Sequence, residues 1–325
     1  MGEQLDSYQA LKQYRDLHMV NHASTMESLN AFHDWVMKKA CGIAQVQLQK
    51  EKGPLPAPFS WFVMGSAGRS EQGRAADQDH GLVYEGEEFK EYFEALGVEI
   101  TNGLFQIGYP LCEGKVMSSN RVWCQSSAGW ERQLAKWLEE ESWNSIRHLL
   151  IFYDARVLVG SVEPLRHLKN LMDRFIEKHP AFLFRLLENT KRIRKGVGLF
   201  QQFLTETHGP YMGSINLKEM GLFPYINAAR LLAMKEKISE TSTLSRLGLL
   251  GELPAYLQDF GRFQAHFRLL LDYKLKQVNH QIDYEQMHFL NVQGLTPAEK
   301  SALKQVLKDG VKLHQFTQRV IEKGC

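Results

Sequence analysis

The sequence predicts an α+β domain followed by an all-α helical bundle, and three observations carry that prediction. Two short apolar runs, Trp61–Met64 and Leu82–Tyr84, stand on either side of a polar segment rich in glycine. Their length and aromatic, β-branched content read as two strands of a small sheet. The stretch Gly53-Pro54-Leu55-Pro56-Ala57-Pro58 forbids helix and gives the chain a stiff lead into the first of them. From Glu163 onward the pattern is helical to the end, broken at Pro180, Gly209-Pro210, Gly221, Pro224, Gly248–Pro254 and Gly294. Short connections between about five to seven amphipathic helices make a bundle. The expected division is therefore a helical segment at 1–52, an α+β domain at 53–162 and a helical domain at 163–325.

In order along the chain, residues 1–52 hold one helix or two, with Met26, Leu29, Phe32, Val36 and Ala40 at helical spacing. After the second strand, Glu87–Phe105 reads as an amphipathic helix that Gly108-Tyr109-Pro110 terminates. Leu111–Asn120 is irregular and suits a loop near a site, with Ser118, Ser119 and Asn120 serving either a ligand or the next helix as caps. Trp123, Trp130 and Trp137 recur every seven residues, which predicts a packing face. Leu149–Tyr153 reads as a further short strand, ending at Asp154-Ala155-Arg156. In the bundle, Lys191-Arg192-Ile193-Arg194-Lys195 reads as a basic cluster on a helix, and Thr296-Pro297-Ala298-Glu299 as the start of the last helix.

Composition excludes several classes. Net charge is +2 with 23% charged residues, so nothing pulls the whole chain toward nucleic acid or membrane. The four cysteines, Cys41, Cys112, Cys124 and Cys325, lack metal-ligand spacing and read as free thiols of a reducing compartment. No apolar run is long enough to span a bilayer, which together with the thiols predicts a cytoplasmic protein. His33-Asp34 reads as helix surface.

The chemistry concentrates in residues 65–79. Gly65, Ser66 and Gly68 follow the first strand with almost no side-chain bulk, and Ser66 is an expected N-cap for a short segment 67–74. Free N–H groups there would seat a phosphate. Asp77 and Asp79 lie two apart at the start of the second strand, so both carboxylates fall on one face. Two such groups repel unless one is protonated or a divalent cation lies between them. Carboxylate oxygens completed by phosphate oxygens suit magnesium on a nucleotide, which clamps the attacking and leaving oxygens of an in-line displacement.

The string Gly65-Ser66-x-Gly68-Arg69-x-Glu71-Gln72-x-x-x-x-Asp77-Gln78-Asp79 resembles the signature of a bacterial nucleotidyltransferase family within the DNA polymerase β-like superfamily. Members of this type are associated with CBS and cyclic-nucleotide-binding domains and are related to protein-PII uridylyltransferase. Gly213–Lys218, Gly221–Pro224, Ala229-Arg230 and Thr241–Arg246 are similar to the substrate-binding C-terminal domain of the same family. The resemblance implies a polymerase β-like domain with a small mixed sheet, transferring a nucleoside monophosphate from a nucleoside triphosphate with release of pyrophosphate. It implies Asp77 and Asp79 as ligands of two Mg2+ ions, with Asp154 as a third catalytic and metal-binding carboxylate. Glu113 is the weaker candidate for that third place, and a surface pair of Asp154 with Arg156 is the alternative. Gly65, Ser66, Arg69 and Lys218 would meet the nucleotide, although Lys218 and Arg230 also fit a helix surface. The implied acceptor is a protein, with a PII-like regulator the nearest precedent; nucleic acid and membrane are not expected partners. The rival reading is a nucleotide sensor of the same fold without the chemistry. Two departures stand out: His80 replaces the family's usual Asn, and no cyclic-nucleotide or CBS module is present in this sequence.

Overall fold

The computed structural model describes residues 5–276 and 284–324. The chain forms two compact units, Met1–Met172 and Asp173–Cys325.

The first unit opens with α1 (Tyr8–His22) and α2 (Met26–Lys52), whose first turns are capped by the hydroxyls of Ser7 and Thr25. The expected apolar face of α2, including Leu29, Phe32, Val36 and Ala40, is buried. The helix stops at Gly53, and the proline-rich stretch leads into β1 (Phe59–Val63). A tight helical turn, α3 (Gly65–Gly68), leaves β1 directly; β2 (His80–Tyr84) then returns antiparallel to β1, from Val63 opposite His80 to Phe59 opposite Tyr84. After α4 (Lys90–Ile107) come β3 (Cys124–Ser126), parallel to β2, then α5 (Ser127–Glu140), α6 (Trp143–Tyr153) and β4 (Arg156–Gly160), antiparallel to β1. The sheet order β3-β2-β1-β4 is small and mixed, as expected.

Leu149–Tyr153 is a correction. These residues are the last turns of α6, not a strand, because Ser142 caps a helix from Trp143 and carries it through the whole apolar run. The strand falls instead on Arg156–Gly160, at the sheet edge, where its half-exposed residues give only a weak apolar pattern.

Trp123, Trp130 and Trp137 form the expected packing face. All three are buried, with ring centroids 5.7–6.2 Å apart, and Trp130 also stacks on Phe152 of α6. Burial of each indole is worth up to about 4–6 kcal/mol of transfer free energy. Trp130 additionally donates its N–H to the Leu82 carbonyl, so the helical layer is keyed to β2 at 2.9 Å.

The unit boundary falls within α7 (Glu163–Lys178). The second unit continues with α8 (Phe182–Thr190), β5 (Ser214–Asn216), a wide helical turn Lys218–Leu222, α9 (Phe223–Lys235), α10 (Thr243–Glu252), α11 (Phe260–Lys276), β6 (Phe289–Asn291) and α12 (Pro297–Gly324). The bundle thus carries a two-stranded antiparallel ribbon, β5 with β6, which helical periodicity had not predicted. Thr296 and Glu299 form the expected reciprocal cap at the head of α12. The basic stretch 191–195 does not lie on a helix: α8 ends at Thr190, and Arg194 pairs with Glu206 at 2.7 Å and Glu219 at 3.1 Å.

Candidate active site

The site is built on the end of β1 and the approach to β2. Gly65 has φ +54°, a conformation that glycine adopts without penalty, and this lets α3 begin one residue past the strand. Ser66 is therefore inside the turn and not its cap. Met64 occupies the cap position without a side-chain bond, and the turn ends at Gly68, short of the expected 67–74. The amides of Gly65, Ser66 and Ala67 head this turn, where helical geometry supplies no internal acceptor.

Residues 76–80 are extended and alternate in burial: Ala76, Gln78 and His80 face inward, while Asp77 and Asp79 are half-buried on the other side. The predicted shared face is thus present, although both acids precede the ladder of β2 proper. Asp79 presents its carbonyl to the Met64 amide at 2.8 Å, which binds the acidic segment to the end of β1. Its carboxylate lies against the bare Cα of Gly65. A side chain at Gly65 would collide with Asp79 Oδ2 and come within 2.9 Å of its Cγ.

Asp77, Asp79 and Cys112 each offer a ligand atom within 4.8 Å of the others, a spacing at which one divalent cation touches all three. Cys112 was not among the predicted site residues. Its loop is stitched beside the acids by two backbone bonds, Gln78 N–H to the Pro110 carbonyl at 3.2 Å and His80 N–H to the Val116 carbonyl at 3.0 Å. These bonds hold the loop 111–115 at both ends and bring Cys112 to the acids. Burial, then the charge of Asp79 and a hydrogen bond to it, push the Cys112 thiol up to about 12.

The inward-facing residues explain how the acids are held. His80 accepts at Nδ1 from the Trp61 indole and from the Ser118 amide, both at 3.2 Å, and lies 2.9 Å by Nε2 from Gln78 Oε1. Burial lowers its pKa to about 3, so the ring is neutral and Nε2 carries the proton donated to Gln78. Gln78 in turn donates to the Tyr109 and Thr101 carbonyls. Ser118 and Asn120 are accounted for by structure: the Ser118 hydroxyl donates to the Gly97 carbonyl, and Asn120 caps the turn at Val122.

Asp154 lies against the glycine turn, outside the group of Asp77, Asp79 and Cys112. It is fully buried at the end of α6 and accepts from Arg69 Nη1 at 2.8 Å, while Arg69 Nε donates to Glu71 at 2.8 Å. Burial acts to lower the pKa of this guanidinium, and the charges of Glu71 and Asp154 outweigh it and raise it. Asp154 is not part of the ligand-spaced group with Asp77 and Asp79. Nor does it pair with Arg156, which forks onto Asp34 at 2.7 and 2.6 Å and donates to the Ala67 carbonyl at 2.8 Å. Gly68 belongs to the same packing, since a Cβ there would collide with the Asp154 carbonyl.

Helix α2 backs the whole segment. Asn30 exchanges hydrogen bonds with the Gln72 backbone at 2.8 and 3.2 Å. His33 is fully buried, not helix surface, and bridges the Tyr109 hydroxyl at 2.8 Å and the Gly73 carbonyl at 2.9 Å. In the second unit, Lys218 lies 3.4 Å from His288 Nε2 and faces the rings of Phe223 and Tyr284 at 5.8 and 5.7 Å. Burial, then the charges of Lys218 and Lys274, lower the pKa of His288 to about 3. Arg230 is buried and donates to Asn227 at 2.9 Å.

The site is thus a mixed sheet that ends in a glycine-serine turn against an Asp-x-Asp pair. Two family models cover most of the chain: residues 10–144 match a putative nucleotidyltransferase (DUF294), and residues 180–321 match a putative nucleotidyltransferase substrate binding domain (DUF294_C). The chain belongs to this nucleotidyltransferase family. A search of the curated proteins finds no match. Among the described residues, no helix is long and apolar enough to cross a membrane.

Proposed function

We propose that the protein transfers a nucleoside monophosphate from a nucleoside triphosphate to an acceptor hydroxyl and releases pyrophosphate. The observation that carries this reading is the convergence of Asp77 and Asp79 at ligand spacing, against a turn where a side chain at Gly65 would collide with Asp79. The donor set fits a divalent cation, because carboxylate oxygens held this close favour a shared positive charge over mutual repulsion. Asp77 and Asp79 would hold the cations, Mg2+ in the simplest case, and such ions neutralise charge developing on the transferred phosphoryl group. The chain's own contribution is placement. The amides of Gly65 and Ser66 and the Ser66 hydroxyl bind the β- and γ-phosphates, and the Met64–Asp79 backbone bond keeps that turn in register with the acids.

Arg69 and Asp154 take a different part in this reading. Their buried pair, with Glu71, fixes the loop between the phosphate turn and the acids, so Arg69 acts on the nucleotide through loop position and Asp154 through Arg69. Lys218, in the second unit, we assign to nucleotide binding only by its place in the matched substrate-binding domain. The acceptor we assign is a protein, by the resemblance to PII-modifying uridylyltransferases, in a cytoplasmic setting consistent with thiols that are unpaired among the described residues.

The test is to incubate the full chain with each of the four nucleoside triphosphates, labelled in the α-phosphate, with Mg2+ and cell lysate. Label transferred to a protein, with equimolar pyrophosphate and dependence on both Asp77 and Asp79, supports the reading. Nucleotide retained without pyrophosphate release would make the protein a sensor of the same fold.

A further inference from the structure

The third ligand atom beside those of Asp77 and Asp79 is a sulfur: Cys112 Sγ lies within 4.8 Å of both aspartate oxygens, whereas Asp154 accepts from Arg69 at 2.8 Å. The thiol is held there by built features: the Gln78–Pro110 and His80–Val116 backbone bonds fix both ends of its loop, and the Lys115 amide donates to the Cys112 carbonyl at 2.9 Å. Of the three cysteines described, Cys41 and Cys124 are buried away in the core, and Cys112 alone is half-buried at the acidic face.

Resting on the reading of Asp77 and Asp79 as a cation seat, we propose that Cys112 is the third protein ligand, so that this seat selects a borderline transition ion such as Co2+ or Zn2+ over Mg2+. Two oxygens and one sulfur are a mixed donor set. Mg2+ demands oxygen and dehydrates reluctantly, whereas thiolate sulfur favours softer ions, and borderline ions accept both donor types. Binding replaces the S–H bond by a metal–sulfur bond, and the proton leaves to solvent. A nucleotide would still bring its own Mg2+ on the phosphates, so the two cations of the reaction would be chemically different.

Co2+ reports on this directly, because thiolate ligation gives a sulfur-to-cobalt charge-transfer absorption that oxygen ligands do not. The full chain is titrated with Co2+, with and without a non-hydrolysable nucleoside triphosphate analogue, alongside Cys112→Ser. The expected result is a charge-transfer band in the wild-type protein. The Ser variant should bind Co2+ without the band and more weakly by at least about tenfold, the lower bound for losing even an outer-shell partner. Co2+ bound without the band in the wild-type protein, or a band unchanged in Cys112→Ser, overturns the proposal and leaves the acidic seat standing. Failure of the wild-type protein to bind Co2+ in either condition removes the acidic seat itself and the proposal with it. Cys112→Asp supplies a second readout: competition by Mg2+ against bound Co2+ should strengthen by about tenfold or more in this variant, and unchanged competition would count against sulfur as the selecting donor.

Discussion

The first unit contains two groups of acids, each with a member in the motif 65–79, and they have opposite fates. Glu71 and Asp154 are buried and share Arg69, with both contacts at 2.8 Å. Asp77 and Asp79 are half-buried and gather around a thiol at ligand spacing. In the first group the fold supplies the positive charge, and the result is a rigid joint between the motif loop and α6. In the second the acids stand at ligand spacing with a thiol, the arrangement we read as a cation seat. The contrast lies in what holds each acid: Asp154 is held by Arg69, while Asp77 and Asp79 share a face at ligand spacing with Cys112.

The largest effect should fall on the second group. Asp77→Asn or Asp79→Asn should lower nucleotidyl transfer by about a thousandfold or more, the several kcal/mol that metal charge stabilisation supplies, with an unchanged circular dichroism spectrum. Loss of fold instead of turnover would erase the distinction between the two groups.

Arg69→Met should act in the opposite way, by leaving Glu71 and Asp154 buried without their cation. Thermal or urea unfolding should show a loss of about 3–5 kcal/mol, the cost of breaking a buried pair from one side. A stable Arg69→Met protein that binds nucleotide more weakly would instead put Arg69 in direct contact with phosphate.

Gly65→Ala separates positioning from stability. A methyl at φ +54° costs on the order of 1 kcal/mol in unfolding, yet it also meets Asp79 Oδ2 and must displace that carboxylate. Cation affinity should therefore fall by more than the stability change accounts for.

The effect that is smallest at neutral pH is that of His80, which shows as a pH slope in acid. His80 is neutral in the folded chain with a pKa of about 3, against an ordinary value of 6.5. The unfolded chain thus binds the extra proton between these values, and stability falls as pH drops from about 6.5 toward 3, by up to about 1.4 kcal/mol per pH unit. His80→Asn, which keeps a polar acceptor for the Trp61 and Ser118 donors, should flatten this slope in acid unfolding titrations. A slope unaltered by the substitution would trace the acid sensitivity to other groups.

Much of this was legible in the sequence, for physical reasons that differ by element. The Trp123–Trp130–Trp137 face, α4 and the Thr296–Glu299 cap follow local rules of spacing and hydrogen bonding, and they are present as read. The shared face of Asp77 and Asp79 follows from strand alternation, which holds even though the ladder starts one residue later. What could not be read depends on contacts distant in sequence. Leu149–Tyr153 has strand composition, but the cap that makes it helix lies at Ser142, before the run. His33 carries no local sign that it will be enclosed by Tyr109 and Gly73. Cys112 reaches the acids only because Pro110 and Val116 pair with the backbone of Gln78 and His80, and no spacing rule encodes that. In the second unit, the β5–β6 ribbon joins residues some seventy apart through three-residue strands too short to leave a period.

Equilibrium binding of a labelled nucleoside triphosphate, with and without a chelator, tests most directly the proposal that Asp77 and Asp79 grip a nucleotide through a metal ion. Retention by the wild-type chain that is lost on chelation, and equally lost in the Asp77→Asn, Asp79→Asn double variant, is the predicted result. Retention of the same strength in the chelator or in the double variant would contradict it.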